Sequence, residues 1–137
     1  MNEKIGINKK IIVGATISLS RKVAQEDIES FGKLSLDKNP IHFDDDFAAK
    51  SMFGKRIAHG MIGAFLISGA LTKLMGEGNV WLSLSLKFAK PVYIGDKISC
   101  TLTVKEIDRR GIATIDAEIV NEEQEKVTYG SLQSMRF

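Results

Sequence analysis

The sequence has 137 residues, of which 44% are hydrophobic and 26% charged, and this balance suits one soluble globular domain, which we expect to span residues 1–137. The formal net charge of +2 is small, and because Lys9 and Lys10 belong to no dense basic run, we expect no nucleic-acid partner. The apolar patch at 11–13 is too short for a signal peptide, and the apolar run at 57–71 is too short to cross a bilayer, so we expect a cytoplasmic protein that does not enter a membrane.

The first third of the chain mixes strand and helix patterns. Apolar and polar residues alternate at 17–22, which predicts a strand, and the apolar spacing at 24–35, with acids in its first turn, predicts a helix. Residues 36–43 contain an Asn-Pro pair, and because the residue before a proline avoids the helical conformation, we expect an extended or turned segment there. Three aspartates open a short predicted helix at 44–52.

Residues 59–75 are apolar almost all the way around a helical wheel, which predicts a helix buried on every side. Alternation with a period of two then predicts four strands, at 80–88, 98–104, 115–119 and 127–137. The single cysteine, Cys100, lies in one of these strands, so we expect a small buried hydrophobic residue and not a nucleophile. One long buried helix followed by four antiparallel strands predicts an α+β fold in which the sheet wraps around the helix.

Asp37 and His42 are candidates for a catalytic pair because they lie five residues apart on a predicted loop. A carboxylate and an imidazole can hold a water between them, with one group taking a proton while the other gives one. A purely structural role is also open: Asp37 and Asn39 are typical turn formers around Pro40, and His42 is also explained as a hydrogen-bonded structural histidine.

His59 and Gly60 stand at the predicted start of the buried helix. A helix N-terminus offers unpaired N–H groups and a partial positive charge, which suit a developing oxyanion, although His59 also fits as an ordinary helix-start residue. Two histidines without a cysteine cluster form no recognisable metal-ligand spacing, so we expect no metal site.

Several segments of the sequence resemble the MaoC-like family, which includes the (R)-specific enoyl-CoA hydratases. Residues 31–42 (FGKLSLDKNPIH), with Asp44 and Ala48, resemble its hydratase-2 signature. The resemblance continues in AHGM at 58–61, in Ser68-Gly69 and in LKFAKPVYIGD at 86–96, so it covers nearly the whole chain. Leu36 departs from the pattern, since the family often carries a small or polar residue before the aspartate.

The resemblance implies a hot-dog fold, in which a curved antiparallel sheet surrounds a long central helix. It implies a homodimer, possibly a higher oligomer, and a substrate tunnel near the subunit interface. Asp37 and His42 match the catalytic pair, Asn39 matches a loop-holding asparagine, and Gly60 matches the glycine whose N–H polarises the thioester carbonyl. Ser68 matches a serine near the pair, and His59 is expected to support the site together with Asn39 and Ser68. The protein itself needs no cofactor, because the substrate carries coenzyme A or the pantetheine of an acyl carrier protein.

The implied reaction is addition of water to a trans-2-enoyl thioester to give the (R)-3-hydroxyacyl thioester, or the reverse dehydration. A 3-hydroxyacyl-[acyl carrier protein] dehydratase would use the same residues, and its carrier preference would distinguish it. A hot-dog thioesterase is disfavoured by the D-x-N-P-x-H motif. A non-catalytic acyl-binding subunit typically lacks Asp37 or His42, and both are present here.

Overall fold

The structure is a computed structural model that describes residues 10–136, so Lys9 and Phe137 lie outside the described residues. In chain order its elements are β1 (Thr16–Lys22), α1 (Gln25–Ser35), α2 (Pro40–Phe43), α3 (Asp45–Ala49), α4 (Met61–Met75), β2 (Asn79–Phe88), β3 (Lys97–Ile107), β4 (Ala113–Val120) and β5 (Lys126–Arg136). No helix among them is long and apolar enough to cross a membrane.

The five strands form one antiparallel sheet in the order β1-β3-β4-β5-β2. Helix α4 packs against β1, β3, β5 and β2 and joins their inner faces in one apolar core. Cys100 belongs to this core at 0% exposure, and burial raises the pKa of its thiol to about 12, which confirms the prediction of an inert buried side chain. A curved antiparallel sheet around one long helix is the predicted α+β, hot-dog fold.

The end of α1 sets the backbone that leads to the candidate site. Asp27 caps its start, since a carboxylate oxygen accepts the Ala24 N–H at 3.0 Å. Leu36 follows the last residue of α1 with a φ of 64°, a left-handed conformation that side chains rarely adopt. The residue that departs from the family pattern therefore occupies the strained position one residue before Asp37.

Residues 40–43 correct the prediction of an extended or turned segment at 36–43, because they form the one-turn helix α2. Pro40 occupies the first turn, where its missing N–H costs nothing, and the Asn39 side chain accepts the Ile41 N–H at 3.2 Å. Asn39 itself is non-helical, as expected before a proline, but it acts as the cap of a helix. His42 therefore lies on a short helix and not on a loop.

Helix α4 is not buried on every side, which corrects a second prediction. Met61 is 45% exposed and Phe65 is 49% exposed, because the sheet covers the opposite side of the helix. The apolar inner face of β2 is also open, since this strand forms one edge of the sheet, and Leu84 and Phe88 are exposed. Both apolar surfaces belong to elements whose sequence patterns predicted burial.

Candidate active site

Asp37, His42 and His59 come together although they lie on three different segments. Asp37 follows α1, His42 lies on α2, and His59 precedes α4. One oxygen or nitrogen atom from each of them lies within 4.8 Å of the others. The fold therefore places the predicted pair side by side, together with His59, which was expected to support the site.

The His42 ring is 7% exposed and held in one orientation. Its Nδ1 lies 2.8 Å from the carbonyl oxygen of Ile57. Because a carbonyl only accepts hydrogen bonds, Nδ1 carries the proton, and in the neutral ring Nε2 is left with a lone pair. The Nε2 atom of His42 can accordingly accept a proton from a bound water.

The Asp37 carboxylate is exposed and held by short-range backbone contacts. Its Oδ1 accepts the Asn39 N–H at 3.1 Å, and the Asp37 N–H donates to Ser35 Oγ at 3.1 Å. Asn39 thus both fixes the aspartate and caps α2, which agrees with the predicted loop-holding role. The turn-forming and functional interpretations of these residues do not compete, because the same turn presents the carboxylate.

His59 contacts both members of the pair. Its ring stacks on the His42 ring with centroids 3.8 Å apart and planes 28° apart, and its Nε2 lies 3.3 Å from the Asp37 carbonyl oxygen. The ring is 3% exposed, and its Nδ1 has no hydrogen-bond partner in residues 10–136. Burial lowers the pKa of His59, so the ring is neutral at pH 7. Its sequence gave no sign of this stack, because His-Gly at a helix start is unremarkable by itself.

Gly60 lies immediately before α4 and is exposed. Ile62 N–H donates to the His59 carbonyl at 3.0 Å, whereas the N–H groups of Gly60 and Met61 donate to no residue in the described part of the chain. A Cβ at Gly60 would come within 2.9 Å of Phe88 Cδ1. The position therefore suits glycine, and its free N–H fits the predicted oxyanion contact.

A cavity of about 530 Å³ opens beside these residues. His42, His59 and Gly60 stand in its wall, and apolar side chains form most of the remainder. The lining also includes the buried residues Ile62, Gly63, Ile98, Ile119, Val127 and Thr128. An apolar pocket with a few polar groups at one end is typical of a site for a largely apolar ligand.

Ser68 is not brought to the pair. It is exposed on α4, eight residues beyond Gly60, which is roughly 12 Å along the helix at 1.5 Å per residue, and it does not line the cavity. Its predicted place near the pair is therefore not formed by the described residues of one chain.

Two histidines and a carboxylate are also a possible metal-ligand set. His42 Nδ1 and His59 Nε2 are engaged by carbonyl oxygens, which leaves His42 Nε2 and the buried Nδ1 of His59 as ligand atoms. The absence of a metal at this site stays a prediction. The same atoms of Asp37 and His42 can transfer protons.

The fold and the site together define the class of this protein. It is a hot-dog protein with an acid–base site, in which an aspartate and a histidine lie beside the helix start and an apolar cavity. The chain belongs to the MaoC-like family, since residues 10–127 match the profile of the MaoC like domain.

Named relatives agree with this assignment. An (R)-specific enoyl-CoA hydratase of Aeromonas caviae is 38% identical over 109 residues, which cover 78% of this chain and 81% of the relative. One of Rhodospirillum rubrum is 45% identical over 92 residues, which cover 66% of this chain but only 64% of the relative. The aligned stretch thus spans less than two thirds of the Rhodospirillum protein.

Solved structures show the same fold. The (R)-hydratase from A. caviae involved in PHA biosynthesis superposes with a TM-score of 0.90 at 32% identity, covering 94% of this chain and 99% of that one. The R-hydratase PhaJ1 from Pseudomonas aeruginosa superposes with a TM-score of 0.88 at 30% identity, covering 97% and 86%.

Proposed function

We propose that the protein is a hydro-lyase that adds water to trans-2-enoyl-CoA to give (R)-3-hydroxyacyl-CoA and catalyses the reverse dehydration. The observation that carries the proposal is the position of Asp37 beside His42, whose side chain lines an apolar cavity that also has Gly60 in its wall. The (R) configuration is proposed from the names of the Aeromonas and Rhodospirillum relatives.

The thioester carbonyl oxygen binds to the Gly60 N–H at the start of α4, where the helix dipole favours the negative charge that develops on this oxygen. A donor of this kind elsewhere contributes roughly 2.7–4 kcal/mol of barrier lowering. Because Gly60 has no Cβ, the Phe88 ring packs close to its backbone.

A water between Asp37 and His42 supplies the new hydroxyl group. Its oxygen bonds to C3, one of its protons passes to the pair, and the pair returns a proton to C2, so the pair ends the cycle as it began. The Nε2 lone pair of His42 and the Asp37 carboxylate are both available for this exchange.

We also propose that the working form is a homodimer. The apolar residues Leu82, Leu84 and Phe88 of the edge strand β2 are 38–52% exposed in one chain, and Met61 and Phe65 of α4 are exposed as well. An unpaired strand edge beside exposed apolar side chains favours association. Joining two copies at β2 covers these side chains and extends the sheet.

Hydration of crotonyl-CoA, followed by the loss of enoyl-thioester absorbance, tests the reaction. The proposal predicts turnover to 3-hydroxybutyryl-CoA of the (R) configuration by chiral analysis. Release of free thiol without a hydroxyacyl product would identify a thioesterase instead. Faster turnover of the same acyl group on an acyl carrier protein would show that this carrier protein, and not coenzyme A, is the preferred carrier. A relative from Arabidopsis thaliana is named as a 3-hydroxyacyl-[acyl-carrier-protein] dehydratase.

A further inference from the structure

Thr128 is a polar residue in an apolar part of the cavity wall. Cross-strand pairing places it in a row of the sheet with Leu19, Cys100, Ile119 and Phe88. Residues directly opposite each other in an antiparallel sheet point to the same face, so this row faces α4. Thr128 is the one residue of this row with a hydrogen-bonding side chain of ordinary strength, since the Cys100 thiol is only a weak donor.

The Thr128 side chain is buried but has no protein partner. Thr128 is 4% exposed and lines the cavity. Its hydroxyl makes no hydrogen bond to any residue of the stretch 10–136. Its oxygen is not one of the fully buried polar atoms without a partner in residues 10–136, so it borders the cavity, and a valine would fill the same space without a hydrogen-bonding group. The hydroxyl group is therefore placed to bind a molecule that enters the cavity.

The position of Thr128 relative to Gly60 identifies which part of the substrate it meets. Its Oγ1 lies 3.9 Å from the point where a Gly63 Cβ would stand. Gly63 is buried one helical turn beyond the exposed Gly60, which is a step of roughly 4.5 Å along the helix axis. A thioester whose carbonyl is bound at Gly60 can meet Thr128 only with a group several bonds away.

That group belongs to the acyl chain. The arm that carries the thioester must return to solvent, whereas Ile98, Ile119 and Val127, which line the cavity around Thr128, are 0–1% exposed. The free end of the acyl chain can enter this buried part of the cavity. The charged residue in the lining is Lys90, which pairs with Glu125 at the surface, so the buried part favours a neutral group.

We propose that Thr128 is a specificity-determining residue whose hydroxyl group hydrogen-bonds a neutral oxygen on the acyl chain beyond C3. This inference rests on the proposed hydratase function. The preferred substrates are then enoyl thioesters that carry a hydroxyl, keto or ether oxygen near the end of a short chain, and not purely aliphatic ones of the same length.

A matched pair of substrates tests this preference: trans-2-hexenoyl-CoA and trans-5-hydroxypent-2-enoyl-CoA, whose acyl groups contain the same number of non-hydrogen atoms. In Thr128→Val we expect kcat/KM for the hydroxylated substrate to fall about 3- to 10-fold, as for the loss of one neutral hydrogen bond. Turnover of the hexenoyl substrate is expected to stay the same or rise. Thr128→Ser keeps the hydroxyl group and is expected to retain the native preference.

Equal losses on both substrates would overturn the inference, because the hydroxyl group would then contact the shared carrier arm. No change on either substrate would overturn it as well, since the hydroxyl group would then serve only solvent. Calorimetric titration with hexanoyl-CoA and 5-hydroxypentanoyl-CoA, which cannot be hydrated, separates the two proposals. Selective loss of 5-hydroxypentanoyl-CoA binding in Thr128→Val without turnover by the native protein would sustain the role of Thr128 and refute the hydratase function.

Discussion

His59 is predicted to position the catalytic pair without transferring a proton itself. The His59 ring stacks on His42, and its Nε2 contacts the Asp37 carbonyl oxygen, so it connects the two catalytic residues. Two substitutions separate these contacts. His59→Phe keeps an aromatic ring against His42 and removes the hydrogen bond, whereas His59→Ala removes both.

The structure gives a magnitude for each change. In His59→Phe the lost hydrogen bond costs about 0.5–1.5 kcal/mol, whereas removal of the unpartnered, buried Nδ1 gains about 1–3 kcal/mol. We therefore expect a net change in the free energy of unfolding between a loss of about 0.5 kcal/mol and a gain of about 2.5 kcal/mol. In His59→Ala the space left by the ring costs about 3–5 kcal/mol, as for a large aromatic residue. We expect kcat to fall about tenfold in His59→Phe and about 100-fold in His59→Ala, where His42 loses its support.

The burial of His59 also predicts a pH dependence. Its pKa is lowered below the ordinary value of 6.5, so the unfolded chain binds a proton more readily than the folded one. The free energy of unfolding is therefore at its full value above pH 6.5. It decreases as the pH falls below 6.5, because protonation of this histidine favours the unfolded chain. Urea unfolding as a function of pH is expected to show this loss in the native protein and a smaller one in His59→Phe.

Crotonyl-CoA hydration measured across pH, with urea unfolding of each variant, tests the positioning role. We expect His59→Phe to keep the native shape of the kcat profile at a lower height. A variant that folds normally but has no turnover, or that loses one limb of the profile, would mean that His59 transfers a proton, contrary to this reasoning.

Three further changes follow from the same geometry. Gly60→Ala places a Cβ 2.9 Å from Phe88 and is expected to lower kcat/KM about 100-fold by misplacing the thioester carbonyl. Gly69→Ala, whose Cβ would lie 3.5 Å from Leu19, is the control and is expected to keep native kinetics. Equal kinetics in both variants would argue against the oxyanion contact. Leu84→Lys is expected to give a monomer by analytical ultracentrifugation, and a native-like dimer would place the interface elsewhere. His42→Gln loses the Nδ1 contact to Ile57, so it is expected to be less stable to urea than His42→Asn, whose amide reproduces that donor; equal stabilities would contradict the assigned tautomer.

The sequence was sufficient for most of the fold because its patterns are strong and local. The alternation of the strands and the apolar helix at 61–75 follow directly from side-chain spacing. The two errors have physical causes. Residues 40–43 form a helix because the Asn39 side chain caps it, which reverses the usual effect of an Asn-Pro pair. All sides of α4 were predicted to be buried because hydropathy indicates burial. It does not indicate whether residues of the same chain or of a second copy cover the helix.

The candidate site was predicted in part. Asp37, His42 and Gly60 were found from their motif, since local turns present them. The stack of His59 on His42 and the bond of His42 to Ile57 depend on contacts between segments 15–17 residues apart, which no local pattern encodes. Thr128 was not recognised either, because a threonine in a strand is ordinary until the cavity beside it is known.

The central claim is that Asp37 and His42 perform the chemistry, and the kinetics of Asp37→Asn and His42→Asn test it most directly. Asparagine at position 37 still accepts the Asn39 N–H, and asparagine at position 42 still donates to the Ile57 carbonyl although it loses the stack on His59. We predict that each variant folds and lowers kcat for crotonyl-CoA hydration by about 10²–10⁴-fold, with little change in unfolding free energy for Asp37→Asn. Native turnover in either folded variant would contradict the assignment of the pair.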